Sequence, residues 1–195
     1  MDIILFGMQG SGKGTQAKLL LASGSYSYFS VGDILRERVK KKDALGVEIN
    51  NLMMQGKLVS DEIIFSVLAH FLKEALYADK AIVFDGFPRT LTQYELLKKI
   101  LHSNKREYTC IYFDLTFAKT VERIEMRKNI ENVRSDDKEM KTIMARLEAF
   151  FMHTFPVISR TLMEGKLHII DAAPGVEEIF EEIKGLVGCN PVVKK

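Results

Sequence analysis

Gly7-Met8-Gln9-Gly10-Ser11-Gly12-Lys13-Gly14-Thr15 is the stretch on which the fold turns. An apolar run, Ile3 to Phe6, leads into it, and Gln16-Ala17-Lys18-Leu19-Leu20-Leu21 follows with the pattern of a helix start. Strand, glycine-rich turn and helix make the context of a phosphate-binding loop. Glycines let backbone N–H groups curl around phosphate oxygens, the helix N-terminus adds its dipole, and Lys13 adds a mobile positive charge. A nucleoside triphosphate is the ligand this implies. Gly14 stands where Ser or Thr usually follows the lysine, so the usual hydroxyl ligand for Mg²⁺ is missing and Thr15 comes one residue late. The bland alternative is a plain glycine-rich turn; the strand before it and the helix after it favour phosphate. A dinucleotide fingerprint fails, because Gly10-Ser11-Gly12-Lys13-Gly14 leads to Thr15 and not to glycine.

The 195 residues suit one main domain with small insertions. Hydrophobic residues make up 47% and charged residues 28%, the balance of a globular protein with a sizeable core. A formal charge of +2 gives no reason to expect nucleic acid or an anionic membrane as a partner. Lys40-Lys41-Lys42 reads as a solvated helix end. Cys110, in an apolar run, and Cys189 make no disulfide framework, so a reducing, cytoplasmic setting is expected. No secretory signal is read at the N-terminus, and no stretch approaches the ~20 apolar residues of a membrane span.

Four apolar runs read as buried parallel strands: Ile3–Phe6, Ala81–Phe84, Thr109–Phe113 and Leu167–Ile170. Helical patterns lie between them. Asp61 is a candidate N-cap for Glu62–Tyr77, and Thr90 or Thr92 for the helix of Tyr94, Leu97 and Leu101. Phe117–Arg127 is helical. Asp136 or Asp137 starts a long helix through Ile143, Leu147, Phe150 and Phe151, and Pro174-Gly175 opens Val176–Leu186. The alternation argues for an open α/β sheet. From Ser30 to Val59 there are two short helical patterns, about 33–42 and 44–54, and no clear strand. This segment reads as a helical insertion over one sheet edge. Asn129–Ser135 reads as a loop.

Two constellations carry chemistry. In Asp85-Gly86-Phe87-Pro88-Arg89-Thr90 an aspartate ends a strand, well placed beside a phosphate loop to hold a Mg²⁺ shell, with Arg89 on the same sheet edge. Arg123 and Arg127 share one helix face, Arg134 lies across the polar loop, and Arg146 is on the next helix. Four converging guanidiniums repel one another unless an anion fills the gap, and their forked donors suit phosphate oxygens. The alternative is that each pairs with Glu122, Glu125, Asp136 or Asp137.

Five segments in order give a resemblance. Gly7–Gln16 resembles G-x-P-G-x-G-K-G-T-Q, and Phe29-Ser30-Val31-Gly32-Asp33-Ile34-Leu35-Arg36 resembles S-T-G-D-x-L-R. Gly56-Lys57-Leu58-Val59-Ser60-Asp61-Glu62 resembles G-x-L-V-P-D-E. Phe84–Thr90 with Gln93 resembles D-G-F-P-R-T-x-x-Q. Arg134-Ser135-Asp136-Asp137, then Ile143 and Arg146-Leu147, resembles R-x-D-D…I-x-x-R-L. Nearly end to end, the chain is similar to the adenylate kinases with a short lid. The resemblance implies an α/β P-loop kinase with a parallel sheet flanked by helices. The core would be 1–29, 60–126 and 138–195, the monophosphate-binding lobe 30–59, and the lid 127–137.

It also implies roles. Gly10, Ser11, Gly12, Lys13, Gly14 and Thr15 would hold the ATP phosphates, with Arg123 and Arg127 facing ATP and Pro174 passing its adenine. Arg36 and Arg89 would hold the acceptor's phosphate. Gln93 would meet the acceptor's adenine edge. Val31, Lys57, Leu58 and Val59, with Gly86, Phe87 and Pro88, would line the acceptor. Arg134 and Arg146 would bridge both phosphate chains. Lys13, Arg89, Arg123, Arg127, Arg134 and Arg146 would be the catalytic cations, and Asp85 would orient Mg²⁺ through water. The short lid has no Cys or His, so no structural zinc is expected. A monomer acting on ATP and AMP or ADP follows, with a CMP or UMP kinase of the same fold as the alternative and an ATP-driven switch or binding module as a more distant one. The chain departs from the family pattern at Met8, where the pattern has proline, and at Val31, where it has threonine. The span from Asp137 to Arg146 is one residue longer.

Overall fold

The computed structural model describes residues 1–76, 80–128 and 139–188, leaving aside the side chains of Arg127 and Lys128. Five parallel strands form one sheet: β1 (Asp2–Gly7), β2 (Tyr26–Ser30), β3 (Ala81–Asp85), β4 (Tyr108–Asp114) and β5 (Leu167–Asp171). Their spatial order is β2-β3-β1-β4-β5. Four strands match the apolar runs read from the sequence. The strand β2 does not, because Ser25-Tyr26-Ser27-Tyr28 mixes hydroxyls into an edge strand that pairs only with β3, Tyr26 opposite Ala81 through Ser30 opposite Asp85. An edge strand needs no continuous apolar run.

Alternate residues of each strand feed two separate cores, as a pleat of period two requires. Ile4, Phe6, Phe29, Phe84 and Cys110 face one side. There they meet Leu68 of α4 (Asp61–Ala75), Leu97 of α5 (Leu91–Ser103) and Val157 of α8 (Phe155–Met163). Ile3, Leu5, Val83, Ile111 and Ile170 face the other side, against Ala17 and Leu20 of α1 (Lys13–Ala22) and Ile179 and Ile183 of α9 (Val176–Val187). Each large buried side chain contributes roughly 1.5–3 kcal/mol. At the foot of the sheet Asp2, only 1% exposed, is satisfied by Arg106 at 2.6 and 2.8 Å and by the Ile82 N–H at 2.8 Å.

The helical insertion is α2 (Val31–Lys40) and α3 (Ala44–Met54). Ser30 caps α2 by accepting from Asp33 N–H, and Asp43 caps α3 by accepting from Gly46 N–H. Thr90 is the cap of α5, accepting from Gln93 N–H. Asp61 is not the cap of α4. Ser60 takes that place and Asp61 is the first helical residue, its carboxylate turned to Gln93 instead.

The helix α6 (Phe117–Lys128) carries Arg123 and Arg127 as expected. The lid residues 129–137 lie outside the described residues. With them go Arg134, the candidate caps Asp136 and Asp137, and the convergence of four arginines. Beyond them α7 (Met140–Ala149) runs through a π-helical turn, Phe150–Thr154, into α8. The wider turn precedes Pro156, which has no N–H to give and sits in the first turn of α8, where none is needed.

Candidate active site

The cleft lies at the C-terminal ends of β1 and β3, where strand order reverses about β1, the usual binding crevice of an open α/β sheet. It measures about 460 Å³ and is lined by the loop residues Gly7, Gln9, Gly10, Gly12, Lys13, Gly14 and Thr15. Lys13, Lys18, Arg36, Arg89 and Arg146 bring five cationic side chains to its wall, against the carboxylates of Asp33 and Asp85. A concave wall with that excess focuses positive potential and selects an anionic ligand.

The loop is held from both ends. Lys13 Nζ donates to the carbonyls of Gly7 at 2.7 Å and Met8 at 2.8 Å, and to Ser11 Oγ at 3.3 Å. Gly10, at φ +84°, sits where a Cβ would meet Ile124 and the Thr120 carbonyl at 3.3 Å, so α6 seals the loop's back. Met8 is buried with Ile124, Ile143 and Leu147. Its side chain thus anchors the loop to α6 and α7 by packing. Ser11, in the middle of the loop, is fully buried and lines neither the cleft nor the pocket beside it.

Asp85 ends β3 beside the loop, its Oδ2 3.8 Å from where a Cβ on Gly14 would stand. Tyr28 of β2 donates its hydroxyl to that oxygen at 2.9 Å. Burial, and after it the Asp85 charge, raise the Tyr28 pKa and keep the phenol a donor. No cluster of three or more His, Cys, Asp or Glu forms a metal cage among the described residues. A lone carboxylate beside a phosphate loop suits Mg²⁺, which keeps several waters and takes other ligands from substrate phosphates. The residues fit that ion.

A second pocket opens from the cleft under α2 and α3 and shares Arg36, Gly56, Leu58, Gly86, Arg89 and Arg146 with it. Val31, Leu35, Met53, Val59 and Ile64 give it an apolar lining, with Lys57 and Gln93 at its wall. Gln93 is only 3% exposed. Its amide oxygen accepts from the Arg89 N–H at 2.7 Å and its amide nitrogen donates to Asp61 at 2.7 Å. That fixes its orientation and leaves one N–H and one lone pair of the amide for a ligand. Arg89 Nε donates to the Gly86 carbonyl at 2.9 Å, and Arg36 pairs with Asp33 at 2.5 Å.

The two cavities together gather Gly10, Gly12, Lys13, Gly14, Thr15, Val31, Arg36, Lys57, Leu58, Val59, Asp85, Gly86, Pro88, Arg89, Gln93 and Arg146 from the sequence reading. Phe87 stands apart: its ring is 1% exposed, packed edge-on to Phe29 at 5.7 Å, and supports the site from the core. Arg123 stays beside the loop, its Nη2 donating to the Ala173 carbonyl at 3.3 Å next to Pro174. The Arg127 side chain and Arg134 lie outside the described residues. Among the lining residues to which the sequence reading gave no site role are Lys18, Asp33, Tyr28 and Thr154. Thr154 donates to the Arg89 carbonyl at 3.2 Å from the π-helical turn. No local pattern marks it, whereas Tyr28 lay immediately before the Phe29–Arg36 motif already singled out.

The comparisons with known proteins point the same way. A family model described as adenylate kinase matches residues 5–165. The chain is 35% identical over 188 residues to an adenylate kinase of Phocaeicola vulgatus, covering 96% of this chain and 98% of that one. It is 33% identical over 213 residues to an adenylate kinase of Hydrogenobaculum, covering 96% and 100%. It is 34% identical over 184 residues to UMP-CMP kinase 1 of Oryza sativa, covering 94% of this chain and 72% of the rice protein. With its phosphate loop, its cationic cleft and a model match over most of its length, the chain belongs to the adenylate kinase family and is a phosphotransferase of the nucleoside monophosphate kinase fold.

Proposed function

We propose that this phosphotransferase moves a phosphoryl group from MgATP to AMP, giving two ADP. The supporting observation is the pairing of cavities: a phosphate loop at one end, a smaller pocket lined by Val31, Leu35, Val59 and Ile64 with the oriented Gln93 amide at the other, and Arg36, Arg89 and Arg146 on both walls. Lys13 holds the donor's phosphates and follows the transferred group. Arg36 and Arg89 hold the acceptor phosphate, and Arg146, with Arg123, Arg127 and Arg134, neutralises charge as the loose transition state spreads it over the oxygens. Mg²⁺, when bound beside Asp85, screens the donor phosphates. No covalent intermediate with the protein is needed, since alignment in line and charge stabilisation supply the rate. Residues 30–59 serve as the acceptor lobe and 127–137 as the lid, whose closure excludes water as a competing acceptor.

A monomer in the cytoplasm is part of this reading. The reducing setting is supported by Cys110, a buried free thiol, and no described helix is long and apolar enough to cross a membrane.

One observation favours a second reading. Val31 is buried in the acceptor pocket and offers no hydroxyl to a base, which keeps a pyrimidine monophosphate acceptor in play. The deciding measurement is kcat/KM for AMP, CMP and UMP at fixed MgATP. AMP should lead; CMP or UMP ahead of AMP establishes the pyrimidine reading in its place.

A further inference from the structure

Tyr28 belongs to no segment of the sequence that the phosphate loop or the arginines account for. In the parallel pairing of β2 with β3, Tyr28 stands opposite Val83, so Asp85 is two residues further along the same sheet face. The phenol spans that diagonal and donates to Asp85 Oδ2 at 2.9 Å. Both residues line the cleft beside Lys13 and Gly14. A carboxylate at a strand end has free rotation about its last bond, and an ionised one only accepts hydrogen bonds. A single fixed donor from the neighbouring strand restricts that rotation and pins one oxygen, which sets the direction in which the rest of the carboxylate can reach water.

We propose that Tyr28 is a positioning residue for the divalent cation: by holding Asp85 Oδ2 it presents the carboxylate to the hydrated cation that accompanies the donor nucleotide. This rests on the placement of the cation beside Asp85 in the proposed function. Tyr28 itself touches neither cation nor nucleotide in this role and acts through Asp85. Partners of this kind behind metal-binding groups restrict their orientation, and their loss weakens metal affinity without abolishing it.

The test compares wild type, Tyr28→Phe and Asp85→Asn. Phe keeps the ring and its packing and removes only the hydroxyl; thermal unfolding checks that the fold persists. The main reading is the affinity of Mn²⁺ for the protein bound to a non-hydrolysable ATP analogue, followed by electron spin resonance. A second is the affinity of the same analogue without metal, followed by calorimetry. Tyr28→Phe should weaken Mn²⁺ binding about 3- to 10-fold, at or just below the usual cost of losing such a partner, and leave metal-free analogue binding unchanged. Asp85→Asn should weaken Mn²⁺ binding further. If Asp85→Asn weakens it and Tyr28→Phe does not, the role of Tyr28 is overturned while the cation's place beside Asp85 stands. If neither variant changes Mn²⁺ binding, the cation does not use Asp85 and both statements fall. If Tyr28→Phe weakens metal-free binding by the same factor, Tyr28 shapes the nucleotide site and not the carboxylate, which also overturns the proposal.

Discussion

Thr142 of α7 donates its hydroxyl to the carbonyl of Met54, the last residue of α3, at 2.8 Å. Gly56, two residues on and at φ +70°, lies so close to α7 that a Cβ there would stand 2.8 Å from Ala145 Cβ and 2.9 Å from the Arg146 nitrogen. The end of the helical insertion is thus seated on the helix that carries Arg146. A Cβ at Gly56 meets backbone that cannot give way and a φ that side chains avoid. Gly56→Ala should therefore lower stability by about 1–3 kcal/mol and raise KM for the acceptor more than KM for ATP. Thr142→Val should cost about 0.5–1.5 kcal/mol. Denaturant unfolding and steady-state kinetics with each substrate varied check both.

Lys13→Met should cost on the order of 10²–10³ in kcat, the usual loss when a preorganised charge is removed from a developing anion. Its three contacts hold the loop's own oxygens, so a modest drop in melting temperature should accompany it, with the fold intact by circular dichroism. Near-normal turnover in the folded variant removes Lys13 from the mechanism.

Val31→Thr should widen the preference for AMP over CMP and UMP by roughly 0.5–1.5 kcal/mol, the net worth of one hydrogen bond. Val31 is 3% exposed and lines the second pocket, and under the proposed function a buried hydroxyl left unpaired by the wrong base penalises that base. Ratios of kcat/KM across the three acceptors give the number directly.

Turnover should require Mg²⁺ or Mn²⁺ and should persist in excess Mg²⁺ after treatment with a zinc-selective chelator. The lid segment contains no Cys or His from which a four-ligand zinc site could be built. Metal analysis of the purified protein is the check; stoichiometric zinc whose removal lowers stability contradicts the expectation.

Glu164, after α8, makes acid stability testable. Burial alone raises its pKa, but hydrogen bonds from Lys98, Tyr94 and Arg160 outweigh that and bring it from 4.5 to about 2. A carboxyl whose folded pKa is depressed stabilises the fold above its unfolded pKa, and that stability fades as pH falls toward the folded value. Glu164→Gln should therefore lower the melting temperature at neutral pH, and the gap to wild type should close between pH 4.5 and about 2. A gap that stays constant across that window shows that shape, not charge, is what the position supplies.

The sequence by itself determined the phosphate loop, four strands, a helix capped at Thr90 or Thr92, and the cationic and glycine-rich parts of the cleft's lining. Each depends on local pattern: glycine spacing around Lys13, apolar runs buried on both faces, and a hydroxyl three residues before the N–H it caps. The tertiary structure alone decided the rest. Pairing with β3 made a strand of Tyr26–Ser30 and carried the Tyr28 phenol to Asp85. The approach of Gln93 drew Asp61 away from capping duty. Core packing turned Phe87 inward from the second pocket, and the π-helical turn brought Thr154 to Arg89. These contacts join residues from 32 to 65 positions apart, and no local periodicity encodes a partner that only chain folding delivers.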